Sequence, residues 1–375
     1  MAWIAWITGA CLLFYVLFTL RAAWYFSREK KPIPPPSPTW PSVSVIIPAR
    51  NEAHQLATCL ATVLKQSYPG TWEVWLVNDH STDDTLARAQ EMARQSPQLH
   101  VWDLQVTGQT QAFKKAALKA GIEQAKGEII VQTDADCEVG EAWLKTLVSP
   151  FLQGVDFVSG PVALTYAPKP IEALQALEVM GLGILGAGSL LAGTPNMCNG
   201  ANMAYRKNLF FELGGLQDAQ HVASGDDEFL LQKFHRAGKK LAFAKDERAI
   251  VHTSALTDWS SLKAQRLRWV SKARNYLDRR VNIVQLLSYI GFWFFPAMLV
   301  LGFWDSTYWA VLGGGLGLKV LTDLYLMYQA GKFFHNLPLL RWLGILEGVY
   351  IPYVLWVGIA GNLISQYRWK GRTVR

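Results

Sequence analysis

The first apolar run of the chain has the length that a membrane helix requires. Residues 3–20 read WIAWITGACLLFYVLFTL, and the basic residues Arg21 and Arg28 follow them. About 20 apolar residues are needed for a helix to cross the hydrocarbon core of a bilayer. A cleaved signal peptide would instead carry its positive charge before the apolar run. We therefore predict an uncleaved membrane anchor over residues 1–27, with its C-terminal flank in the cytoplasm.

Composition and charge agree with a membrane protein. Charged residues make up 17% of the chain, whereas soluble domains contain about 25%. The net charge is +7, in an apolar chain with 16 Trp, which indicates an anionic membrane surface rather than nucleic acid as the partner. The four cysteines are far apart and form no CxxC pair, so a disulfide framework or zinc site is not expected. We expect an integral protein of the inner membrane.

Between two apolar ends, the chain has the pattern of an α/β domain. Residues 28–41 are predicted to be a stiff proline-rich spacer, and residues 42–260 alternate short strands with helices. Such alternation predicts a mainly parallel sheet. The predicted strands are 43–48, 72–79, 99–105, 128–134 and 156–160, and the predicted helices are 52–66, 82–95 and 114–127.

The C-terminal part is predicted to return to the membrane. Residues 261–282 are predicted to form a basic interfacial helix, residues 283–366 the C-terminal membrane segments, and residues 367–375 a basic tail. The runs 283–304, 307–328 and 343–364 are each long enough to cross a bilayer. Three crossings would place the basic tail outside, against the positive-inside rule. We therefore expect one run to be interfacial or re-entrant.

The prolines and acidic residues of the apolar runs, and one further apolar run, lead to more specific predictions. Pro296 and Pro352 mark candidate breaks in the helices. Asp323 and Glu347 are unusual in apolar runs and are expected to face protein rather than lipid. A further apolar run, 179–193, is predicted to be a monotopic or groove-lining helix, because a single crossing there would separate the acidic motifs described next.

Polar residues cluster where the predicted strands end, which is where ligands bind in open parallel sheets. Pro48–Glu52 follow the first strand, Asn78–Asp83 the second, and Asp134 and Asp136 the fourth. Asp134 and Asp136 are two apart in an extended segment, so their side chains share one face. Two adjacent carboxylates suit Mg²⁺ or Mn²⁺, which also takes phosphate oxygens. Each motif alone is equally compatible with turn or helix-cap chemistry.

Two later motifs are candidates for catalysis and binding. Asp226 and Asp227 open an apolar-periodic helix, where one carboxylate could act as a general base; acids at a helix start also favour the macrodipole. Gln265, Arg268 and Trp269 lie at positions i, i+3 and i+4, hence on one helical face. An amide, a guanidinium and an indole there suit a sugar diphosphate and its acceptor, although a basic amphipathic helix on anionic lipid is the simpler reading.

Seven motifs in order resemble the membrane-bound family 2 glycosyltransferases. They are VSVIIPARNE, VNDHSTDDT, KKAALKAG, TDADC, CNGANMAYRKNLFFELGG, SGDDEFL and QRLRW, over about 43–275. They look like the D, DxD, ED-type and QxxRW series of that family. The resemblance implies a nucleotide-sugar-binding domain of the GT-A type, flanked by transmembrane helices. The chain departs from the family at Asp226, where many relatives have Glu, and at Asn78 and His80.

The resemblance also implies a role for each matching residue. Asp79 matches the acid that contacts the nucleotide base or ribose, and Lys114 a lysine near the nucleotide. Asp227 matches the catalytic base. The remaining matches are Pro48, Asn51 and Glu52 in the nucleotide pocket, Asp134 and Asp136 holding the metal and the diphosphate, Asn199, Gly200, Asn202 and Asp226 near the acceptor, and Gln265, Arg268 and Trp269 in the QxxRW motif.

The function expected from this resemblance is metal-dependent, inverting hexosyl transfer at the cytoplasmic face of the membrane. The donor would be a nucleotide sugar, UDP-linked by resemblance, and the acceptor a lipid or a membrane-associated glycan. A processive polysaccharide synthase is the alternative, because many processive relatives carry QRLRW. A scaffold or transporter would not need acids at strand ends. A nucleotidyltransferase would leave QRLRW and the membrane anchors without a purpose.

Overall fold

The computed structural model describes residues 2–31, 39–104, 113–219, 222, 224–363, 367–369 and 372–374. The chain forms two compact units. The helical unit consists of Met1–Arg28, Tyr166–Asn196 and Leu256–Ser365, and the sheet unit of Glu29–Thr165, Met197–Ala255 and Gln366–Arg375. The chain therefore passes between the units several times.

The sheet unit is built on a seven-stranded mixed sheet and a three-stranded sheet. The larger has the order β3-β2-β1-β4-β8-β6-β9, and the smaller β5-β10-β7. The strands are β1 (Val43–Ala49), β2 (Trp72–Asn78), β3 (Leu99–Asp103), β4 (Ile129–Gln132), β5 (Cys137–Val139), β6 (Phe157–Ser159), β7 (Val162–Thr165), β8 (Met203–Arg206), β9 (Leu241–Phe243) and β10 (Val251–Ser254).

The sequence-predicted strands β1, β2, β3, β4 and β6 are confirmed, and most of the large sheet is parallel. β1 lies between β2 and β4 and pairs with both in parallel. Its side chains Val45, Ile46 and Ile47 are completely buried, as expected for a strand covered on both faces. β8 is the exception, because it inserts antiparallel between β4 and β6.

Helices connect the strands and make up most of the helical unit. In chain order they are α1 (Ala2–Arg28), α2 (Leu56–Val63), α3 (Thr85–Gln95), α4 (Phe113–Gln124), α5 (Trp143–Val148), α6 (Pro170–Leu191), α7 (Lys207–Glu212), α8 (Asp226–Arg236), α9 (Trp259–Ser271), α10 (Arg279–Phe292), α11 (Phe294–Leu301), α12 (Thr307–Phe333) and α13 (Leu343–Leu363). The tail contains the antiparallel pair β11 (Tyr367–Trp369) and β12 (Arg372–Val374).

Within the described residues, five helical segments of the helical unit are long and apolar enough to cross a membrane. They are Trp3–Arg28, Pro170–Leu191, Arg279–Leu301, Thr307–Phe333 and Leu337–Leu363. The chain thus carries apolar helices on both sides of its α/β part, as the sequence predicts.

Helices α1 and α12 run side by side in the same direction. The Tyr15 hydroxyl donates to Asp323 at 2.6 Å, and further along both helices Phe26 packs against Phe333. The segment formed by α10 and α11 runs the opposite way, since Gly291 lies against Cys11. Neighbouring long helices of the helical unit therefore run in both directions: α12 is parallel to α1, and the segment α10–α11 is antiparallel to it.

Two predicted segments have different limits from the units and helices of the structure. The predicted domain over residues 42–260 is not one contiguous unit, because residues 166–196 cluster with the helical unit. Their helix, α6, packs so closely on α1 that a Cβ at Gly188 would meet the Ala22 carbonyl oxygen at 2.0 Å. The predicted basic helix 261–282 also ends early, at Ser271, and α10 begins at Arg279.

The candidate proline breaks have different outcomes. The helix over Arg279–Leu301 is interrupted at Trp293, and Pro296 follows in the first turn of α11, where a proline costs no hydrogen bond. Pro352 lies inside α13 without ending it. The prediction of a break at Pro352 is therefore wrong.

The acidic residues of the apolar runs face protein, as predicted. Lys319 is completely buried and donates to Asp323 at 2.7 Å and to Glu347. The Lys319 ammonium also lies over the ring of Tyr350. Charges within a bilayer are tolerated when they are paired with each other. This cluster ties α12 to α13 and, through Tyr15, to α1.

Candidate active site

A lysine joins two of the acidic motifs at the carboxyl ends of the strands. Lys114, at the start of α4, places its ammonium 2.6 Å from Asp134 Oδ1 and 3.8 Å from Asp226 Oδ2. Asp134 directly follows β4, and Asp226 opens α8. Both carboxylates raise the pKa of Lys114 far above its ordinary value, despite its burial. The structure thus brings together three residues that the sequence predicted to share a site.

Asp226 is a buried anion that the surroundings keep charged. Its carboxylate is 5% exposed, and its Oδ2 accepts a hydrogen bond of 2.7 Å from Gln132 Nε2. Burial alone would raise the pKa of Asp226, but Lys114, Lys115 and the Gln132 hydrogen bond outweigh it and lower that pKa. The Asp226 carboxylate therefore contacts Lys114 and Gln132, and its predicted binding of the acceptor stays a prediction.

Asp227, the neighbouring residue, is half-buried and contacts the predicted acceptor loop. Its Oδ2 accepts a hydrogen bond of 3.0 Å from the backbone N–H of Gly200, and its Oδ1 accepts from the Glu228 N–H at 2.8 Å. A Cβ at Gly200 would lie 3.3 Å from Asp226 Oδ2 and 3.4 Å from Asp227 Cβ. A glycine at position 200 therefore allows the loop to lie directly on the two acids.

The DxD segment has the alternating burial expected of an extended chain. Asp134 and Asp136 are half-buried, whereas Ala135 between them is 2% exposed. Behind them lie the thiols of Cys59 and Cys137, and the Cys137 thiol contacts Asp136 Oδ1 at 3.6 Å. Burial and the nearby acids raise the pKa of Cys137, so this thiol stays protonated.

Two carboxylates suit only a particular kind of metal site. Within the part of the chain that the structure describes, no group of three or more His, Cys, Asp or Glu side chains could hold a metal ion. The donor set of Asp134 and Asp136 fits Mg²⁺ or Mn²⁺ that completes its shell with diphosphate oxygens and water. It does not fit a cation held by protein ligands alone.

The loop after β2 is fixed to the loop after β1 by a set of polar contacts. Asn51 Oδ1 accepts a hydrogen bond from the Thr82 N–H at 2.8 Å, and the Asn51 N–H donates to Ser81 Oγ at 3.0 Å. Asn51 and His80 both have a positive φ, 52° and 53°, a conformation that Asn adopts more readily than most residues. Asn51 therefore shapes this loop rather than merely lining it.

Asp79 lies at the base of the same loop. It is 2% exposed, its N–H donates to the Ala49 carbonyl at 2.8 Å, and its Oδ1 lies 3.0 Å from His80 Nδ1. The Arg50 guanidinium donates to the Asp79 carbonyl at 2.8 Å and to the His80 carbonyl at 2.6 Å. Asp79, which is predicted to line the nucleotide pocket, is thus held by the end of β1 and by the residue that follows it.

The other two residues predicted for the nucleotide pocket are half-buried on the same strand end. Pro48 is the penultimate residue of β1, opposite Val77, and the Glu52 N–H donates to Thr85 Oγ1 at 2.8 Å. Pro48 therefore lies near the end of β1, and Glu52 lies in the connection from β1 to α2, where a residue of α3 accepts its hydrogen bond.

Asn202, predicted to lie near the acceptor, makes its hydrogen bonds to buried groups of the protein. Its side chain is completely buried. Its Nδ2 donates to the carbonyls of Pro161 and Ala249 at 2.7 and 2.8 Å, and its Oδ1 accepts from Trp143 Nε1 at 3.0 Å. The amide of Asn202 thus makes three hydrogen bonds inside the protein, and its predicted contact with the acceptor stays a prediction. Asn199, in the same loop, is exposed.

The three QxxRW residues belong to the helical unit, where they lie half-buried on α9. Gln265 accepts a hydrogen bond from the buried Arg266, whose guanidinium carbon also lies 4.2 Å from the centre of the Trp269 ring. Arg268 is the third residue of this face.

Sequence reasoning missed three supporting residues. Gln132 is a polar residue in an otherwise apolar strand, and that contrast was a usable signal. Arg50 stands beside the predicted pocket residues, where its position alone suggested a role. Nothing local distinguishes Arg266 from the other basic residues of its segment, because its partner lies far away in the chain.

Comparison with protein families agrees with this geometry. The model described as "Glycosyl transferase family 2" matches residues 44–213. The model described as "Glycosyl transferase family group 2" matches residues 129–322, just over half of the chain. The first match covers the Asp79, Lys114 and DxD motifs, and the second continues through α8 and the QxxRW helix.

Individual proteins similar to this chain have related names. "Glycosyltransferase AglE" of Haloferax volcanii is 31% identical over 210 residues, 56% of this chain and 66% of that protein. "Beta-monoglucosyldiacylglycerol synthase" of Nostoc sp. is 34% identical over 112 residues, 30% of this chain and 24% of that protein. The chain thus matches less than two thirds of the length of either relative.

A solved structure supports the fold. The mannosyltransferase PcManGT from Pyrobaculum calidifontis, in complex with GDP-Man and Mn²⁺, superposes with a TM-score of 0.59 at 22% identity. The match covers 89% of this chain and 98% of that chain. The fold is therefore of the GT-A type, and the sequence carries apolar helices before and after its α/β part. Because a family model matches more than half of its length, this chain belongs to glycosyl transferase family group 2.

Proposed function

We propose that this protein is a membrane-bound, inverting glycosyltransferase that moves a hexose from a nucleotide sugar to a lipid or membrane-associated glycan acceptor at the cytoplasmic face. UDP is assigned to the donor by the motif resemblance. The donor would bind along Pro48, Asn51, Glu52 and Asp79 and reach Lys114 and Asp134. Asn199 and Gly200 would line the acceptor side.

One observation carries the proposal: Lys114 contacts both Asp134 of the DxD motif and Asp226, the residue directly before the candidate base. Lys114 lies 2.6 Å from Asp134 and 3.8 Å from Asp226. The positive charge there suits the diphosphate of a nucleotide sugar. Asp227 follows Asp226 in the first turn of α8, so a base stands close to the place where the donor phosphates would bind.

The reaction needs one proton acceptor and one stabilised leaving group. The acceptor hydroxyl oxygen forms a bond to the anomeric carbon as the bond from that carbon to the diphosphate oxygen breaks. The electron pair of the broken bond leaves with the diphosphate, and the hydroxyl proton goes to the Asp227 carboxylate. Lys114 stabilises the charge that develops on the diphosphate. A single displacement inverts the anomeric centre.

A divalent cation fits the donor side. Asp134 and Asp136 would hold Mg²⁺ or Mn²⁺, which when bound would neutralise charge on the diphosphate oxygens. The hydrogen bond that the Gly200 N–H donates to Asp227 fixes the orientation of the Asp227 carboxylate, which is the candidate base. For the helical unit, the assignment of Gln265, Arg268 and Trp269 to the donor and acceptor rests on the QxxRW resemblance alone.

The path of the chain supports a membrane topology with the sheet unit on one side. β6 and β8 pair with each other although α6 lies between them in the chain, so α6 does not act as a single crossing. The tail belongs to the sheet unit. With α10–α11 and α12 as two opposed crossings, α13 then begins and ends on the same side. We assign α13 as the interfacial or re-entrant segment, which keeps the basic tail in the cytoplasm.

A membrane-resident acceptor agrees with the composition of the helical unit. Trp259 is 68% exposed at the start of α9, a helix rich in basic residues, which is typical of a segment at lipid headgroups. The Nostoc relative is named as a synthase of a glycolipid. We therefore favour transfer of one or a few sugars to a lipid over synthesis of a long polymer.

The decisive experiment is a screen of UDP- and GDP-sugars with the purified protein in detergent, with Mn²⁺ and membrane lipid extract. We expect release of the nucleoside diphosphate and a lipid product heavier by one hexose, seen by mass spectrometry. No turnover of any nucleotide sugar would refute the function. Long polymer formed without added lipid would favour the processive synthase.

Asp227→Asn tests the base within the same assay. Because a general base contributes about 10²–10⁴-fold to such reactions, transfer should fall by at least about 100-fold. Nucleotide affinity, measured by calorimetry, should change by less than about tenfold, since Asp227 contacts the acceptor side. A fully active variant would remove Asp227 from this role, and a large loss of nucleotide affinity would move it to the donor site.

A further inference from the structure

A buried arginine stands directly beside the QxxRW residues. Arg266 is 3% exposed, whereas its neighbours Gln265 and Trp269 are half-buried. A buried guanidinium needs hydrogen-bond partners for its five donors. The partners of Arg266 come from three different parts of the helical unit.

Glu178, in the middle of α6, provides the counter-charge. Its Oε2 accepts from Arg266 Nη2 at 2.6 Å and from Arg266 Nε at 3.0 Å. The other carboxylate oxygen, Oε1, accepts from the Tyr353 hydroxyl of α13 at 3.2 Å. The Glu178 side chain is itself 12% exposed. The ion pair therefore fixes Arg266 against two other helices.

The opposite edge of the guanidinium is turned to the motif. Arg266 Nη1 donates to Gln265 Oε1, and the guanidinium plane lies over the Trp269 ring with 4.2 Å between the guanidinium carbon and the ring centre. A cation over an indole face is attractive and prefers a defined geometry. Two of the three motif side chains thus contact one residue at a position that the QxxRW pattern leaves variable.

We propose that Arg266, held by Glu178, is the positioning residue that sets the orientation of Gln265 and Trp269 for catalysis. This inference rests on the proposed function, because it gives those two side chains a substrate to meet. Glu178 acts through Arg266, so its loss should have the same effect as the loss of Arg266.

Only an arginine has the shape for this role. Its planar fork presents separate N–H groups to the Glu178 oxygen and to Gln265 while its face remains on Trp269. A lysine offers one compact ammonium, which cannot meet Glu178 and Gln265 from opposite edges. Arg266→Lys should therefore keep the ion pair with Glu178 but lose the orientation of Gln265 and Trp269.

The first test compares Arg266→Lys and Glu178→Gln in the full-length protein in detergent. Since small misplacements of positioning groups cost up to about 100-fold in rate, we expect kcat/KM for the nucleotide sugar to fall by about 10–100-fold in both. Lys263→Met is the matched control, because Lys263 lies on the same helix and contacts Trp356 of α13 at 5.2 Å. Its kcat/KM should stay within about twofold.

A charge swap separates positioning from simple stability. In the double variant Glu178→Arg with Arg266→Glu, the ion pair between α6 and α9 can re-form, so the Tm should return close to that of the wild type. The glutamate at 266 cannot donate to Gln265 or stack on Trp269, so kcat/KM should stay at least about tenfold low. Recovery of both Tm and activity would overturn the proposal, as would wild-type activity of Arg266→Lys.

Hydrogen exchange makes the outcome independent of turnover. Arg266→Lys and Glu178→Gln should speed amide exchange over residues 259–271, whereas Lys263→Met should not. If the wild type transfers no sugar but this exchange pattern holds, the proposed function fails and the anchoring of α9 stands. Unchanged exchange in both variants would overturn the inference, whether or not the wild type is active.

Discussion

Replacing Asn202 tests whether this residue supports the fold, as the structure indicates, or binds the acceptor, as the motif resemblance implies. Asn202→Ala removes a completely buried amide with three hydrogen bonds. Its partners are the Trp143 indole N–H and the carbonyls of Pro161 and Ala249, at 2.7–3.0 Å. Alanine leaves these three groups buried without those partners.

The expected cost follows from the number of groups left unpaired. A buried donor or acceptor that loses its hydrogen bond costs about 1–3 kcal/mol, so three such groups give about 3–6 kcal/mol, allowing for partial relaxation. For a domain of this size, each kcal/mol lowers Tm by about 2–4 °C. We therefore expect the apparent Tm to fall by at least about 6 °C. Asn202→Asp should be no better, because it loses both donors to the carbonyls.

Asn199→Ala is the matched control from the same loop. Asn199 is exposed, and its Oδ1 accepts one hydrogen bond, from the Ala201 N–H at 3.0 Å, so its loss should cost about 1 kcal/mol or less. Both variants are compared by thermal unfolding in detergent, together with KM for the acceptor. An Asn202→Ala protein that melts within about 2 °C of the wild type but binds acceptor poorly would refute the structural role.

Three further results are expected. Asp134→Ala should weaken Mn²⁺ binding in the presence of UDP by at least about tenfold, measured by electron paramagnetic resonance; unchanged affinity would place the cation elsewhere. Lys114→Met should destabilise the protein at pH 7 by about 1–3 kcal/mol. This cost is lower than that of breaking a fully buried ion pair, because the side chains of Lys114 and Asp134 are partly exposed. The folded pKa of Asp226 lies below its ordinary value of 3.8, so its stabilisation is present above pH 3.8 and lost as pH falls through the folded pKa. The Tm difference between Lys114→Met and wild type should therefore shrink below about pH 4, and a constant difference would contradict this account. Burial raises the pKa of Cys59 to about 12, so iodoacetamide at pH 8 should modify the half-buried Cys198 and spare Cys59 in the folded protein, as peptide mass spectrometry can show.

The parts of the fold that could be predicted are those in which neighbouring residues carry the signal. β1, β2 and β4 are apolar runs bounded by polar turns, and their alternation with helices predicts their parallel pairing. β8 gave no such signal, because it is short and owes its place to pairing with β4 and β6, which lie well before it in the chain. The sequence predicted an apolar helix where α6 lies. Its burial against α1 depends on the close approach of Gly188 to Ala22, which hydrophobic periodicity does not predict.

The site shows the same division. The rule that strand ends share an edge places Asp134 among the polar residues of the site, whereas Lys114, at the start of α4, was assigned by the family resemblance alone. The different fates of Asp226 and Asp227 could not be predicted, because adjacent acids at a helix start look alike in sequence. Asp226 contacts Gln132 and Lys114, whereas Asp227 contacts the loop at Gly200, and all three partners come from distant parts of the sequence.

The place of β8 in the sheet also constrains how the protein can be made. β4 is complete once residue 132 has been synthesised, but the strand that covers its edge ends at Arg206. At about 5–20 residues per second, ribosomes need roughly 4–15 s to make the intervening chain, which includes α6. Until β8 has been made, the edge of β4 that later pairs with it stays unpaired, and an unpaired strand edge can pair with a strand of another chain. Nascent chains that stop before residue 206 should be far more prone to aggregate than those that stop just after it.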